Sequence, residues 1–403
     1  MKLTIHKPDF IKRWNMAERI TSSSNAIPSL GGILCTLHEG NVFLHATDLK
    51  TSFTCLAEGV SLENSEEGRV IFPTKVVGDL FKKAPSETFT VSVENEKALM
   101  KSGKNVYRFT TYPVEDFPKI PSAEQARPLC KILLKDLARL IEEGSFAGSV
   151  GEEYPQYLSG VSLRIRDHRI TLASTDIRRI TLSRAFLEDV YEEDVDVVLP
   201  VKGLRELQRV VAMMDDQESV VELLMDDTQV FCRVENVVLS LLRMDVRFPP
   251  YENLLERART TWMVTERTLL LNAMERLDVL VRDGTRMVIF QFSPAGECTM
   301  AAFSPNVGAA VEHVAGEIDG EPLQLAFNSR FLLDGLKALH GEMVQFSLNG
   351  STGQLTMFRP DDENYRYVVM PIDLQQQDHE RFRRDMLSVQ EEKDGYFEEV
   401  SEE

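Results

Sequence analysis

The feature that most constrains this chain is a repeat with a period near 128 residues. Three strand-like segments, "GNVFLHATDLKTSF", "HRITLASTDIRRITLS" and "GECTMAAFSPNVGAAV", align so that Thr47, Thr175 and Phe303 stand 128 and 128 apart. A second set follows each: "RVIFPTKVVGDLFKKAP", "DVVLPVKGLRELQRVVAM" and "LQLAFNSRFLLDGLKALHG". Its corner residues Pro73, Pro200 and Asn328 are 127 and 128 apart. A third set closes each unit, with Phe117-Pro118, Phe248-Pro249 and Met370-Pro371 in equivalent places. A period this long is a domain rather than a solenoid turn.

Each repeat opens on an amphipathic helix. Phe10, Trp14 and Ala17 share one face, as do Leu134, Leu137 and Ile141, and Leu270, Ala273 or Met274, and Leu277. Alternating stretches such as Phe89, Val91, Val93 and Val344, Phe346, Leu348 read as strands with one buried face. The order helix, strands, helix, strands predicts an α+β fold. It consists of three repeated domains, each with two helices on an antiparallel sheet. The expected boundaries are 1–124, 125–256 and 257–374. Residues 375–403 carry ten acids against four Arg or Lys, and so predict an acidic tail that is disordered or weakly helical.

No apolar run approaches the length of a membrane helix, and the first residues lack a secretory h-region. A cytoplasmic protein is expected. The five cysteines are scattered without a CxxC pair, so small core residues are expected rather than disulfides or a zinc site. The phosphate loop, HExxH and GxSxG patterns are absent. Asp215-Asp216, Asp226-Asp227 and Asp361-Asp362 fall between predicted elements, where polar turns are the ordinary reading. The expectation is no catalytic activity and no cofactor or metal.

The formal net charge of −19 argues against nucleic acid, but the placement of charge argues otherwise. The predicted helices carry Lys12, Arg19, Lys75, Lys135, Arg139, Lys202, Arg205, Arg209, Arg276 and Lys337, off their apolar faces. Six helices in three repeats share this bias; if the repeats are arranged in an arc, the helices form one basic inner wall and the acids go outside. Such a wall suits phosphate contacts, which carry no sequence information.

Taken together, "IPSLGGILCTLHEGNVFLHATDL", "KSGKNVYRFTTYPVEDFPKI", "YLSGVSLRIRDHRITLASTDIRRIT", "DVRFPPYENLL" and "YVVMPIDL" resemble the bacterial DNA polymerase III beta subunit, the replication sliding clamp. The resemblance spans residues 1–374. It implies a head-to-tail homodimeric ring around double-stranded DNA, with helices lining the hole. Tyr157 matches a position near DNA. Tyr107 and Phe109, and Val279 and Leu280, match the two sides of the subunit contact. The implied partners are the polymerase III alpha subunit, the clamp loader and repair proteins, which insert short peptides into a pocket.

The implied walls of that pocket are Leu158, Thr175, Ile177, Arg178, Arg179 and Ile180 from the second repeat, and Pro249 and Leu254 from the connector. The third repeat adds Asn328, Phe331, Val368, Met370, Pro371 and Ile372. Four departures from the family stand out, one of them Arg178 where a His is often found. Ile177 replaces a usual Gly, and a β-branched residue resists positive φ, so the turn is expected to differ. Asp373 reverses a common Arg. Ser24 stands where a DNA-contacting Arg is frequent. The tail's "MLSV" (386–389) or "YF" (396–397) is a conceivable occupant of the pocket, and a solubilising acidic tail is the simpler expectation. The rival to the ring is a multi-domain peptide-binding scaffold that does not encircle DNA. A weaker rival, an acid-dependent hydrolase, requires acids of different repeats to meet in one cleft.

Overall fold

The computed structural model describes residues 1–384 apart from 23–26, 63–66, 193, 256–257, 295 and 351–352. Its helices are α1 (Lys7–Glu18), α2 (Asp79–Lys82, entered through a π turn at Thr74–Gly78), α3 (Leu134–Ser145), α4 (Val201–Val211), α5 (Glu252–Leu255), α6 (Arg267–Val281), α7 (Ser329–Ala338) and α8 (residues 376–384). The chain divides into two compact units. One comprises Met1–Ile141, Ser162–Ile170 and Ala185–Val246, the other Glu142–Val161, Thr171–Arg184 and the residues from Arg247 on. The middle repeat therefore contributes to both units.

In the first unit, a five-stranded sheet runs in the order Val60–Leu62, Lys2–His6, Thr88–Glu94, Lys97–Ser102, Asn105–Thr110. A second sheet of eight strands joins two repeats. Val237–Leu242 pairs antiparallel with Thr51–Leu56, Leu241 opposite Thr51 and Val237 opposite Cys55. The expected helix faces are the buried ones. Phe10, Trp14 and Ala17 are at most 1% exposed, and Leu134, Leu137 and Ile141 are likewise buried. Trp14 and Phe89 each pack on Phe81, with ring centroids 5.2 and 5.3 Å away.

The second unit repeats the device. Arg179–Phe186 pairs antiparallel with Asp362–Val369, Arg179 opposite Val369. That last strand continues to Leu355–Arg359, Met343–Leu348, Thr261–Glu266 and Glu317–Gly320. A four-stranded sheet in the order Gly308–Ala315, Glu297–Ser304, Met287–Ser293, Leu323–Asn328 covers α6 and α7. Leu270, Ala273, Met274 and Leu277 of α6 enter the same core as Val288, Phe290, Phe292, Val344, Phe346 and Leu348.

The corner residues of the repeat all begin a helical turn. Pro73 precedes the π turn and Pro200 precedes α4. Asn328 caps α7, its side chain accepting from the Arg330 and Phe331 amides. Proline at the corner presets φ and offers no N–H to satisfy, and Asn reaches the same end by capping orphan donors. The five cysteines are all buried and free. Burial pushes the Cys55, Cys130 and Cys232 thiols up to about 12.

The expected tail from 375 opens with a helical segment. Residues 376–384 form α8, and Phe382 is only 6% exposed. Its charged composition hid one aromatic anchor, and the anchor has an apolar face to cover. "MLSV" and "YF" lie outside the described residues, as does Ser24.

Candidate peptide site and basic helix faces

The proposed pocket begins at a turn. Thr175, 7% exposed, donates its hydroxyl to the Arg179 carbonyl (2.7 Å) and accepts from the Ile177 amide (3.1 Å). Asp176 Oδ1 accepts from the Arg178 and Arg179 amides (3.1 Å each). These bonds hold Ile177 at φ +76° with its side chain 66% exposed. The expected departure of this turn does not occur: four side-chain hydrogen bonds keep the left-handed residue in spite of its branched Cβ. The first repeat carries the same turn at "TDLKT". Thr47 and Asp48 accept the corresponding amides, and Leu49 sits at φ +74°.

The turn delivers Arg179 into a closed network. Its guanidinium donates to Asp176 (2.8 Å) and Asp334 (2.7 Å), and stacks 4.3 Å from the Phe331 centroid. Burial opposes the charge, but Tyr367, Asp334 and Asp176 outweigh it and hold its pKa above the usual value. Arg179 thus shapes the wall by fixing Phe331, and its Nε and Nη1 donors are already engaged.

Beyond the strand Asp362–Val369, the Met370 amide donates to the Arg178 carbonyl (2.9 Å), and the Ile372 amide to Ala326 (2.8 Å). Gly353 at φ +66° lies against Pro371; a Cβ there would come within 2.8 Å of its ring. Gln354 Nε2 donates to the Leu254 carbonyl (2.7 Å), which ties the connector to the same corner. Phe248, just before Pro249, packs edge-on against Tyr157 and Tyr251.

The predicted wall residues separate by exposure. Val368 and Ile180 are core, 1% and 4% exposed, and Leu158 is buried at 8%. Ile177 and Arg178 are exposed, and Pro249, Leu254, Asn328, Phe331, Met370, Pro371 and Ile372 are half-buried. Asp373 is exposed. An apolar surface with a few engaged polar groups and an adaptable Met suits extended apolar segments.

Sequence reasoning missed the joint beneath this surface. Glu143 is fully buried, accepts from Arg359 Nη1 (2.5 Å) and Ser183 Oγ (2.6 Å), and its carbonyl accepts from Thr181 (2.5 Å). In "LIEEG" it looks like any solvent-facing helix acid. The one available signal was Gly144, whose missing Cβ lets the helix end approach Leu172.

In the first unit, Arg19, Lys82 and Arg209 line one cleft of about 480 Å³ with Glu18 and Glu206. The basic helix faces are not free of acids. Lys12 pairs with Asp215, Lys135 with Glu218, Arg139 with Asp136, Lys202 with Asp48 and Arg209 with Glu206. In the second unit Arg276 pairs with Glu312 and Lys337 with Glu275. Lys75 is exposed and Arg205 is half-buried. Charge this dense is placed beside its counter-charge, because isolated like charges on one face repel.

Tyr107 and Phe109 lie on Asn105–Thr110, the edge of the five-stranded sheet, with Phe109 packed on Phe72 and Phe81. Val279 is 56% exposed on α6, and Leu280 packs partly into the core.

Three family models match in order: the N-terminal domain of the DNA polymerase III beta subunit over residues 1–121, its central domain over 131–250 and its C-terminal domain over 252–373. The chain belongs to the DNA polymerase III beta-subunit family. It is 27% identical over 382 residues to the "Beta sliding clamp" of Bacillus subtilis, covering 92% of this chain and 99% of that protein. It is also 27% identical to that of Synechocystis, covering 93% and 100%. Among solved structures, the Bacillus subtilis DNA polymerase sliding clamp superposes with a TM-score of 0.86 at 26% identity, and the Thermotoga maritima beta subunit with 0.84 at 26%. Each covers 93% of this chain and 100% of the other. The three matched domains leave α8 outside the family's C-terminal model.

Proposed function

We propose that this protein is the processivity factor of a replicative DNA polymerase, a ring that encircles and slides on duplex DNA without sequence specificity. The observation that carries the reading is the ordered match of all three beta-subunit domains on one chain. The ring is a head-to-tail homodimer. Asn105–Thr110 and Gly308–Ala315 both end their sheets, each paired on one side only, and an edge strand is a template for a second chain. Tyr107 and Phe109 meet Val279 and Leu280 across that contact.

DNA-facing cations that already hold acidic partners exchange one anion for another. Each phosphate contact is therefore weak, which suits sliding. Lys12, Arg19, Lys75, Lys135, Arg139, Tyr157, Lys202, Arg205, Arg209, Arg276 and Lys337 supply that surface. The peptide surface of the second unit binds the polymerase alpha subunit, the clamp loader and other proteins with clamp-binding motifs. The protein is an accessory subunit without a reaction of its own, working in the cytoplasm. Among the described residues no helix is long and apolar enough to cross a membrane, and no group of acids, His and Cys is placed to hold a metal.

The test is retention on circular against linearised DNA after loading with the cognate loader and ATP. A linked ring stays on the circle and runs off linear ends; equal loss from both refutes encirclement. For the peptide surface, Met370→Ala weakens a labelled clamp-motif peptide by about tenfold, the loss of one well-packed anchor contact. Unchanged affinity removes Met370 from the site.

A further inference from the structure

An antiparallel sheet commonly keeps one face on the core and the other in water. The four-stranded sheet of the second unit does not. Its inner residues Val288, Phe290, Met300 and Phe327 enter the main core. Its outer face is also apolar, with Met287, Ile289, Ala301, Val311 and Ala326 forming a separate cluster. The occupant of that outer face is α8. Phe382 sits on Ile289, Ala301 and Ala326; Arg381 stacks on the Phe303 ring, and His379 bonds Gln324. The helix start is fixed locally, since Asp378 Oδ2 accepts from the Gln375 amide (2.9 Å).

The same cluster holds Ile372 and Leu374. Ile372 is bonded through its amide to Ala326, a member of the same cluster as Phe382. Met370, Pro371 and Ile372 are thus suspended between two anchors. One is the Met370–Arg178 backbone bond, and the other is the apolar cluster that Phe382 completes.

The geometry points to α8 as a strap that sets the position of the Met370–Ile372 wall, with Phe382 as a positioning residue for the apolar peptide ligand. This rests on the peptide-site reading, and α8 lies beyond the segment that the family's third-domain model covers. Without Phe382, Ile372 loses its apolar cover, and the wall is left to the Met370–Arg178 and Ile372–Ala326 backbone bonds near a chain end. The ligand class is unchanged; the strap governs how well the wall is pre-formed, and pre-formed surfaces bind more tightly.

Two readouts on the full chain separate the strap from the peptide site. The first is amide hydrogen exchange at Met370 and Ile372, which needs no ligand. Phe382→Ala accelerates exchange at Ile372 by about tenfold, while the amides of α6 keep their protection. The second is affinity for a fluorescent clamp-motif peptide. Phe382→Ala weakens it by about three- to tenfold, Phe382→Leu restores most of the loss, and Arg381→Ala gives a smaller shift in the same direction. Ending the chain after Leu374 matches Phe382→Ala, and ending it after Arg384 leaves binding unchanged.

If deletion after Leu374 leaves exchange at Ile372 and affinity within about twofold of wild type, the strap is refuted. Tighter binding after that deletion refutes it as well, because α8 is then a competitor. Should Phe382→Ala aggregate through its bared sheet, Arg381→Ala keeps the face covered and decides by the same two readouts. Binding that ignores Met370→Ala defeats the peptide-site reading alone, and exchange at Ile372 still tests the strap.

Discussion

Replacing Arg359 strands a carboxylate with no route to water. Glu143 is fully buried, and Arg359 is 13% exposed. The guanidinium donates to Glu143 (2.5 Å) and Asp362 (2.8 Å), and its charge lies 5.5 Å from the Tyr365 ring. In Arg359→Met the stem volume survives, so cavity costs are small. What is lost is the compensation of a buried charge, which costs about 3–5 kcal/mol when one partner of such a pair is removed. Ser183 still donates to the carboxylate, but a neutral hydrogen bond does not offset a desolvation penalty of several kcal/mol. Domains of this size shift by about 2–4 °C per kcal/mol, so the second unit should melt about 6–20 °C lower. Calorimetry and urea unfolding measure this. Glu143→Gln in the Arg359→Met background removes the stranded charge and recovers more than half of the deficit. A single-mutant loss below about 1 kcal/mol, the scale of an exposed pair, would show that water reaches Glu143 and refute the argument. So would a double mutant no more stable than Arg359→Met.

Three further outcomes follow from other residues. Ile177→Gly removes the cost of a left-handed β-branched residue at an exposed site, and stabilises the second unit by about 0.5–1 kcal/mol in urea unfolding; destabilisation counts against strain at that turn. His45 lies between Thr36 and Thr54, and burial, then Arg69, lowers its pKa to about 4. Its folded pKa is below the unfolded value, so its contribution is complete above pH 6.5 and is lost as pH falls towards 4. The loss is up to about 3 kcal/mol, and His45→Gln flattens that slope. The buried thiols of Cys55, Cys130 and Cys232 react with a thiol reagent only at the unfolding rate; fast labelling in native buffer would overturn their placement as core.

Periodicity revealed what depends on one chain segment at a time. Trp14, Leu137 and Leu277 are buried where the helical spacing puts them, because an apolar stripe has one way to leave water. The Thr175 turn was legible as a repeat of the Thr47 turn, although the φ of Ile177 was not: propensity disfavours it, and four hydrogen bonds made by neighbours override propensity. Glu143–Arg359 joins residues 216 apart, and no local pattern marks either as buried. Phe382 was hidden for the opposite reason. Its neighbours are charged, and the apolar face that calls for it is on earlier strands, at Ile289 and Ala301, 93 and 81 residues before it.

The backbone bonds at the two turns repeat with little change. The Leu242 amide donates to the Lys50 carbonyl (2.8 Å) and the Met244 amide to Val198 (2.8 Å), as Met370 does to Arg178 and Ile372 to Ala326. Leu49 and Ile177, both exposed, crown the matching loops. The molecule therefore contains its own control experiment. A substitution made at Ile177 and Met370 has a twin at Leu49 and Leu242, on the same scaffold and under the same buffer. A difference in what the two positions bind then points first to the side chains, since the same backbone hydrogen bonds hold both.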